Sequence, residues 1–362
     1  MTTTTAGPRV IAGRGARAEI PALLAGRRVF AVASPGAAQR TALASWLPRG
    51  ATLFSQFQPN PTTDQAISAA ARRAAADADL VLGVGGGSAL DIAKAARALP
   101  PDRGEAAAAI IGTTACARAG VELVLVPTTA GTGSEVTRFA TLYRHGRKVS
   151  LDAACVQADV AVIDPALTDS CPAWLTWSCA FDALAHAVES AWSRCATSES
   201  RAFAMAALAL LVPVLRDADR LPSLAERDTL SEAGTLAGRA IDLTRTTAAH
   251  ALAYPLTVHL GVPHGLACAL NLIWLAPMIE PAWRSAEASA LRDVLAVPEG
   301  SIGAGISDLL TRRGLPTSLG PVGPAMVDVI VDEGLASNRV SGTPVTLDHS
   351  RVRASVGELL GG

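Results

Sequence analysis

The sequence predicts two structural classes in succession: an α/β domain built on a parallel sheet over residues 1–168, and an all-α domain over 169–362. Three observations predict it. Short β-type apolar runs alternate with helical patterns as far as Asp164-Pro165. One of these runs, Leu80 to Val84, passes straight into Gly85-Gly86-Gly87-Ser88 and then a helix. From about Cys171 onward the pattern turns helical almost throughout.

The first β-loop-α unit is Arg28 to Ala33, the turn Ser34-Pro35-Gly36 and a helical pattern from Ala38 to Leu47. Ala51 to Phe57, the loop Gln58-Pro59-Asn60-Pro61-Thr62 and an Ala-rich helix from Thr63 to Ala76 make the second. In the third, the glycines after Leu80 to Val84 let a backbone come close to a phosphate, and the free N–H groups at the start of the helix Ala89 to Leu99 suit an anion. The strand Leu123 to Val126 ends in Pro127-Thr128-Thr129-Ala130-Gly131-Thr132-Gly133-Ser134-Glu135. Hydroxyls and glycines so concentrated fit either the ligand crevice of an open α/β sheet or an ordinary long turn. Val160 to Ile163 reads as the last strand, and the helical half holds apolar stretches at Phe203 to Leu215, Leu230 to Leu243, His250 to Leu256 and Gly265 to Ile279.

Composition bounds the function. The chain has 362 residues, half of them apolar, which is enough for two domains with a large core. A net charge of −1 without a long basic run argues against nucleic acid or an anionic membrane as partner. The Thr-rich start lacks the pattern of a signal peptide, and every apolar stretch of spanning length carries charge, Pro or a polar interruption. Six cysteines without a C-x-x-C are expected to be reduced thiols of a cytoplasmic protein.

The chemistry centres on Asp182-Ala-Leu-Ala-His186, inside the apolar run Trp177 to Trp192. Four residues of helix turn a side chain by roughly 40° and advance it about 6 Å, so both groups project from one face. His250 and His264, two of only six histidines, lie in equally apolar segments. One carboxylate and three imidazoles suit Zn²⁺ or Fe²⁺ and leave room for a substrate oxygen or water. The alternative is a half-buried histidine with a satisfied ring and an unrelated carboxylate.

With GGGSALDIAK at 85–94, PTTAGTGSE at 127–135, DALAH at 182–186 and HALAYPLTVHLGVPHG at 250–265, the sequence resembles the iron-containing (group III) alcohol dehydrogenase family. The resemblance is collinear over nearly the whole chain. It implies a Rossmann-like first domain binding NADH or NADPH, a helical second domain carrying one Fe²⁺ or Zn²⁺, and an active site in the cleft between them. The family's metal ligands fall on Asp182, His186, His250 and His264, and its cofactor contacts on Asn60, Gly86, Gly87, Ser88, Thr128, Thr132, Leu175 and, across a variable loop, Lys148. Family members are often homodimers or larger assemblies, and the same is expected here.

Two positions depart from the family pattern. Ser34 stands where many NAD-specific relatives have Asp; without that carboxylate a ribose phosphate is permitted, which points to NADPH. Tyr254 stands where many relatives have a further His; four residues after His250 it projects beside the ion, to relay a proton or to line the pocket. His259 matches no ligand spacing, and His145 and His349 lie in polar stretches.

The implied reaction is metal-assisted hydride transfer between a nicotinamide and a small aldehyde. The stretches 189–193 and 244–257 look like the branch of the family associated with phosphonate metabolism, which implies reduction of phosphonoacetaldehyde to 2-hydroxyethylphosphonate. Arg245 and Arg138 are the candidate phosphonate-binding cations. Other short aldehydes or maleylacetate remain as substrates. In other classes stand a dehydroquinate synthase-like lyase and an inactive cofactor-binding protein.

Overall fold

The computed structural model describes residues 7–114, 116, 120–217, 221–283 and 286–361. The chain divides into two compact units, Met1–Cys171 and Pro172–Gly362.

The first unit is a six-stranded sheet, all of whose pairings are parallel. Its strands are β1 (Arg9–Ala12), β2 (Val29–Val32), β3 (Thr52–Phe54), β4 (Leu80–Gly85), β5 (Glu122–Pro127) and, after a separate hairpin of β6 (Phe139–Arg144) and β7 (Arg147–Asp152), β8 (Val160–Ile163). The order is β1-β8-β5-β4-β2-β3. Successive side chains point to opposite faces, and both faces are buried. Leu80, Leu82, Val84, Val124 and Val126 enter one core, while Val81, Leu123 and Leu125 enter the other with Phe30 and Leu90. A sheet covered on both sides explains why these strands read as unbroken apolar runs.

The connecting helices are α1 (Ile20–Leu24), α2 (Pro35–Arg40), α3 (Thr63–Ala75), α4 (Gly87–Ala98) and α5 (Arg103–Ile110). A capping box of Thr62 and Gln65 starts α3. The continuous helix expected over 38–47 is not formed: α2 begins at Pro35 under a Ser34 cap, and Ala42 takes a left-handed φ of 52° that leaves only a 3₁₀ turn, Leu43–Ser45, beyond it. The edge strand β1, helix α5 and the β6–β7 hairpin had no distinct signal in the apolar pattern. Lys94, fully buried, ties α4 to that hairpin by donating to the Phe139 carbonyl at 2.6 Å and to Thr137 Oγ1.

One expectation about cysteine is corrected. Cys116 and Cys155 are joined in a disulfide, with Cα atoms 6.4 Å apart. That separation lies inside the range a bridge can span, and a sequence separation of 39 conceals the proximity in the sequence. Cys171, Cys179, Cys195 and Cys268 are not joined in disulfides.

The second unit is helical: α6 (Ala173–Trp192), α7 (Ser198–Asp217), α8 (Leu224–Thr244), α9 (Ala248–Leu260), α10 (His264–Ile279), α11 (Ala286–Leu295), α12 (Ile302–Arg312), α13 (Pro324–Leu335) and α14 (His349–Leu359). Its centre is α6, buried on nearly every side from Thr176 to Trp192 and packed against α7, α8 and α10. By length and composition α7 could cross a membrane, but Ala204, Leu208, Leu211 and Leu215 face α6 and α8 as core residues do.

Candidate metal centre and dinucleotide site

Four side chains from α6, α9 and α10 converge in the second unit. The Oδ1 of Asp182 lies 3.3 Å from His250 Nε2, 3.8 Å from His186 Nε2 and 3.8 Å from His264 Nε2. The His186 and His250 rings stack with centroids 4.5 Å apart, and His264 meets His250 edge-on. Asp182, His186 and His250 are all at most 5 % exposed.

Local sequence explains the approach. A Cβ added to Gly265 would lie 1.8 Å from the Ser178 carbonyl oxygen and 2.8 Å from the Asp182 nitrogen. Only glycine lets the first turn of α10 press onto the α6 backbone there, and that contact carries the adjacent His264 toward Asp182.

Glu189, wholly buried one turn beyond His186, was not identified as functional from the sequence. Its Oε1 accepts from Thr247 Oγ1 at 2.6 Å, from the Ala249 N–H at 2.8 Å and from the Thr247 N–H at 3.0 Å, which caps the start of α9. Its Oε2 is hydrogen-bonded to His250 Nδ1. The other ring nitrogen of His250 therefore faces Asp182. The signal in the sequence was spacing alone, since residues 182, 186 and 189 share one helix face.

Electrostatics follow from burial against pairing. Burial opposes ionisation of Asp182, but His186, His250 and His264 together hold its carboxyl well below the usual range. Burial likewise opposes the Glu189 charge, and His250 with the Thr247 donors overcomes it. Burial pushes the Cys268 thiol up to about 11.

The arrangement fits a cation. Asp182 Oδ1 and His250 Nε2 are buried and make no hydrogen bond among the described residues, although they are 3.3 Å apart. Two ligand atoms bonded at about 2.0–2.1 Å to one tetrahedral ion stand about 3.4 Å apart. Buried polar atoms without partners are costly, and an ion between them would satisfy both.

Tyr254 stacks on His264, with centroids 5.2 Å apart and planes 12° from parallel. Arg245 closes α8 as an exposed residue with φ 64°. Such a backbone is unfavourable for a residue with a Cβ. His259 and His349 instead pair with Glu333 and Asp332, and His145 forms the hairpin turn.

In the first unit, seven of the predicted cofactor residues, Ser34, Asn60, Gly86, Gly87, Ser88, Thr128 and Thr132, follow the carboxyl ends of strands. The strand order reverses between β2 and β4, where an open α/β sheet offers its ligand crevice. Ser34 follows β2, its Oγ accepting from the Ala37 N–H, and Gly86 follows β4. Gly85 has φ 152°, and its carbonyl accepts from the Thr128 N–H at 2.9 Å. Asn60, at φ 58°, donates its N–H to Ser88 Oγ at 3.3 Å. A Cβ on Gly87 would meet the Thr132 methyl at 3.2 Å, so Thr132 leans over the start of α4. The side chain of Lys148 lies half-buried on β7, where its charge is felt by the buried Asp91. Arg138 is half-buried just before β6. Leu175 occupies the first turn of α6, in the second unit.

A parallel sheet with glycines at the start of α4, followed by a helical unit with a buried carboxylate and three imidazoles on one point, defines a metal-dependent dinucleotide enzyme. Residues 7–165 match the family of iron-containing alcohol dehydrogenases, and residues 176–352 match its C-terminal domain. The chain belongs to the iron-containing alcohol dehydrogenase family and is an NAD-dependent oxidoreductase of the aldehyde reductase and alcohol dehydrogenase class.

Among curated relatives, phosphonoacetaldehyde reductase of Streptomyces viridochromogenes is 38 % identical over 279 residues, 70 % of this chain and 69 % of that one. Sulfoacetaldehyde reductase of Bilophila wadsworthia is 32 % identical over 67 % of this chain and 65 % of its own. Long-chain-alcohol dehydrogenase 1 of Geobacillus thermodenitrificans is 38 % identical over 59 % of this chain but only 55 % of its own. The match thus spans less than two thirds of the last two. Among solved structures, sulfoacetaldehyde reductase from Bifidobacterium kashiwanohense in complex with NAD⁺ superimposes with a TM-score of 0.90 at 26 % identity, covering 99 % of both chains.

Proposed function

We propose that this enzyme reduces phosphonoacetaldehyde to 2-hydroxyethylphosphonate in the cytoplasm, with Asp182, His186, His250 and His264 holding one Fe²⁺ or Zn²⁺. The observation that carries the metal assignment is the pair of buried, unsatisfied atoms, Asp182 Oδ1 and His250 Nε2, facing each other with the His186 and His264 rings beside them. When bound, the divalent cation polarises a carbonyl and stabilises the alkoxide, while the nicotinamide supplies hydride. Asp182 contributes the negative charge of the site, and Glu189 sets the orientation of the His250 ring. Gly86, Gly87 and the start of α4 bind the pyrophosphate through main-chain N–H groups, with Asn60, Ser88, Thr128 and Thr132 around it. Tyr254 positions the aldehyde beside His264 and passes a proton to its oxygen.

The substrate reading draws support from two relatives whose names specify two-carbon aldehydes with an acidic head group, one a phosphonate and one a sulfonate. Arg245, exposed and five residues before His250, supplies the cation for that group. Sulfoacetaldehyde is the second reading, favoured by the structural likeness at a TM-score of 0.90.

The test is oxidation of NADPH and NADH by Fe²⁺- or Zn²⁺-loaded protein with phosphonoacetaldehyde, sulfoacetaldehyde and an uncharged aldehyde of equal length. Preference for the phosphonate, with a higher KM in Arg245→Ala for that substrate alone, is the expected result. Preference for the sulfonate selects the second reading, and equal rates on all three discard both.

A further inference from the structure

Arg40 closes α2, and its side chain folds back along the helix: Nη1 stands 3.0 Å from where a Cβ on Gly36 would be. Helical side chains lean toward the N-terminus, so residue 40 overlies residue 36, one turn earlier. A methyl at position 36 would crowd the guanidinium, and glycine leaves that place open. The positive charge is thus carried back to the first turn of α2, two residues beyond Ser34 at the carboxyl end of β2.

The surrounding chain offers this charge no local counterpart. Between Glu19 and Asp64 the sequence has no acidic residue. Of the other arginines in that span, Arg27 pairs with Asp79 and Glu122 and Arg28 with Asp79, while Arg49 lies just before β3, all toward the amino ends of the strands. Arg40 is exposed and makes no ion pair or hydrogen bond among the described residues.

We propose that Arg40 determines the choice of dinucleotide: its guanidinium receives a ribose 2′-phosphate seated beside Ser34, which makes the cofactor NADPH rather than NADH. This rests on the dinucleotide reading of the crevice beside β2 and β4. A guanidinium can donate two parallel N–H bonds to a phosphate, whereas a 2′-hydroxyl carries no charge to match it. Ser34 supports the same choice, because it lacks the carboxylate that would bond the hydroxyl and repel the phosphate. Its Oγ already accepts from the Ala37 N–H, so its own O–H is left to donate to the anion.

The experiment is fluorescence titration of the full-length, metal-loaded protein with NADPH and with NADH. The unmodified protein should bind NADPH at least about tenfold more tightly, the low end of what hydrogen bonds to a charged group contribute. Arg40→Ala should lower the NADPH-to-NADH affinity ratio by at least about the same factor, and Arg40→Lys, which keeps the charge but loses the fork, should lower it less. Binding of NADH by the unmodified protein as tightly as NADPH, or an unchanged ratio in Arg40→Ala, would overturn the assignment and leave the dinucleotide site standing. Failure to bind either dinucleotide would overturn both. The comparison within the unmodified protein needs no variant, so a folding defect in Arg40→Ala does not obscure it.

Discussion

Glu189 and His250 are joined by a buried hydrogen bond in which the carboxylate Oε2 accepts from ring Nδ1, and the same carboxylate caps the helix that carries His250. Position and tautomer of this imidazole are thus controlled by one side chain. Glu189→Ala should lose about 3–5 kcal/mol of stability, because it leaves buried donors without an acceptor. Glu189→Gln, which keeps a carbonyl oxygen for the helix N-terminus, should lose less stability yet weaken metal binding about 10–100-fold. Urea unfolding and chelator competition separate the two effects, and equal losses in both variants would remove the orienting role.

Gly265→Ala tests the packing that brings His264 to the site. The added methyl would sit 1.8 Å from the Ser178 carbonyl, so α10 must move off α6. Destabilisation of at least about 3 kcal/mol is expected, at the upper end of overpacking costs. Metal content after dialysis should fall with it; a variant that retained full metal would show that His264 is placed by other contacts.

Gly86 offers the converse case. A Cβ there would meet only the Thr129 side chain, at an ordinary 3.4–3.5 Å, and the backbone φ of −78° suits any residue. Gly86→Ala should therefore fold and bind metal normally while weakening dinucleotide binding at least about tenfold, since only the approach of the pyrophosphate demands the missing side chain. Unchanged affinity in fluorescence titration would place the cofactor elsewhere.

Ser34→Asp should redirect cofactor choice without disturbing the fold. Asp caps a helix as well as Ser does, so the bond to the Ala37 N–H survives. A new carboxylate at the end of β2 repels a 2′-phosphate, and the ratio of kcat/KM for NADPH over NADH should drop at least about tenfold, the equivalent of about 1.4 kcal/mol of repulsion. An unchanged ratio would show that Ser34 does not face the ribose.

Much of this was legible because the relevant signals are local. The start of α4, with glycines directly after an apolar strand, and Asp182 with His186 on one helix face need only a few adjacent residues to be recognised. Glu189 was not, since its partners Thr247, Ala249 and His250 are about sixty residues away and a buried Glu carries no spacing rule of its own. The Cys116–Cys155 pair escaped for the same reason: proximity created by folding leaves no periodicity. The hairpin of β6 and β7 was hidden because its charged, half-exposed second strand breaks the apolar alternation that marks strands.

Helix α6 presents Asp182, His186 and Glu189 on one side, within about 60° of rotation. Inserting or deleting a single residue between 182 and 186 would swing everything beyond it by about 100°. The carboxylate that steadies His250 and the imidazole beside it would then turn away from Asp182 together. Point changes at surrounding positions can be absorbed one at a time, whereas a length change in this segment dismantles the whole centre in one step. Loop lengths around the bundle are free to drift; the distance along α6 works as a fixed ruler.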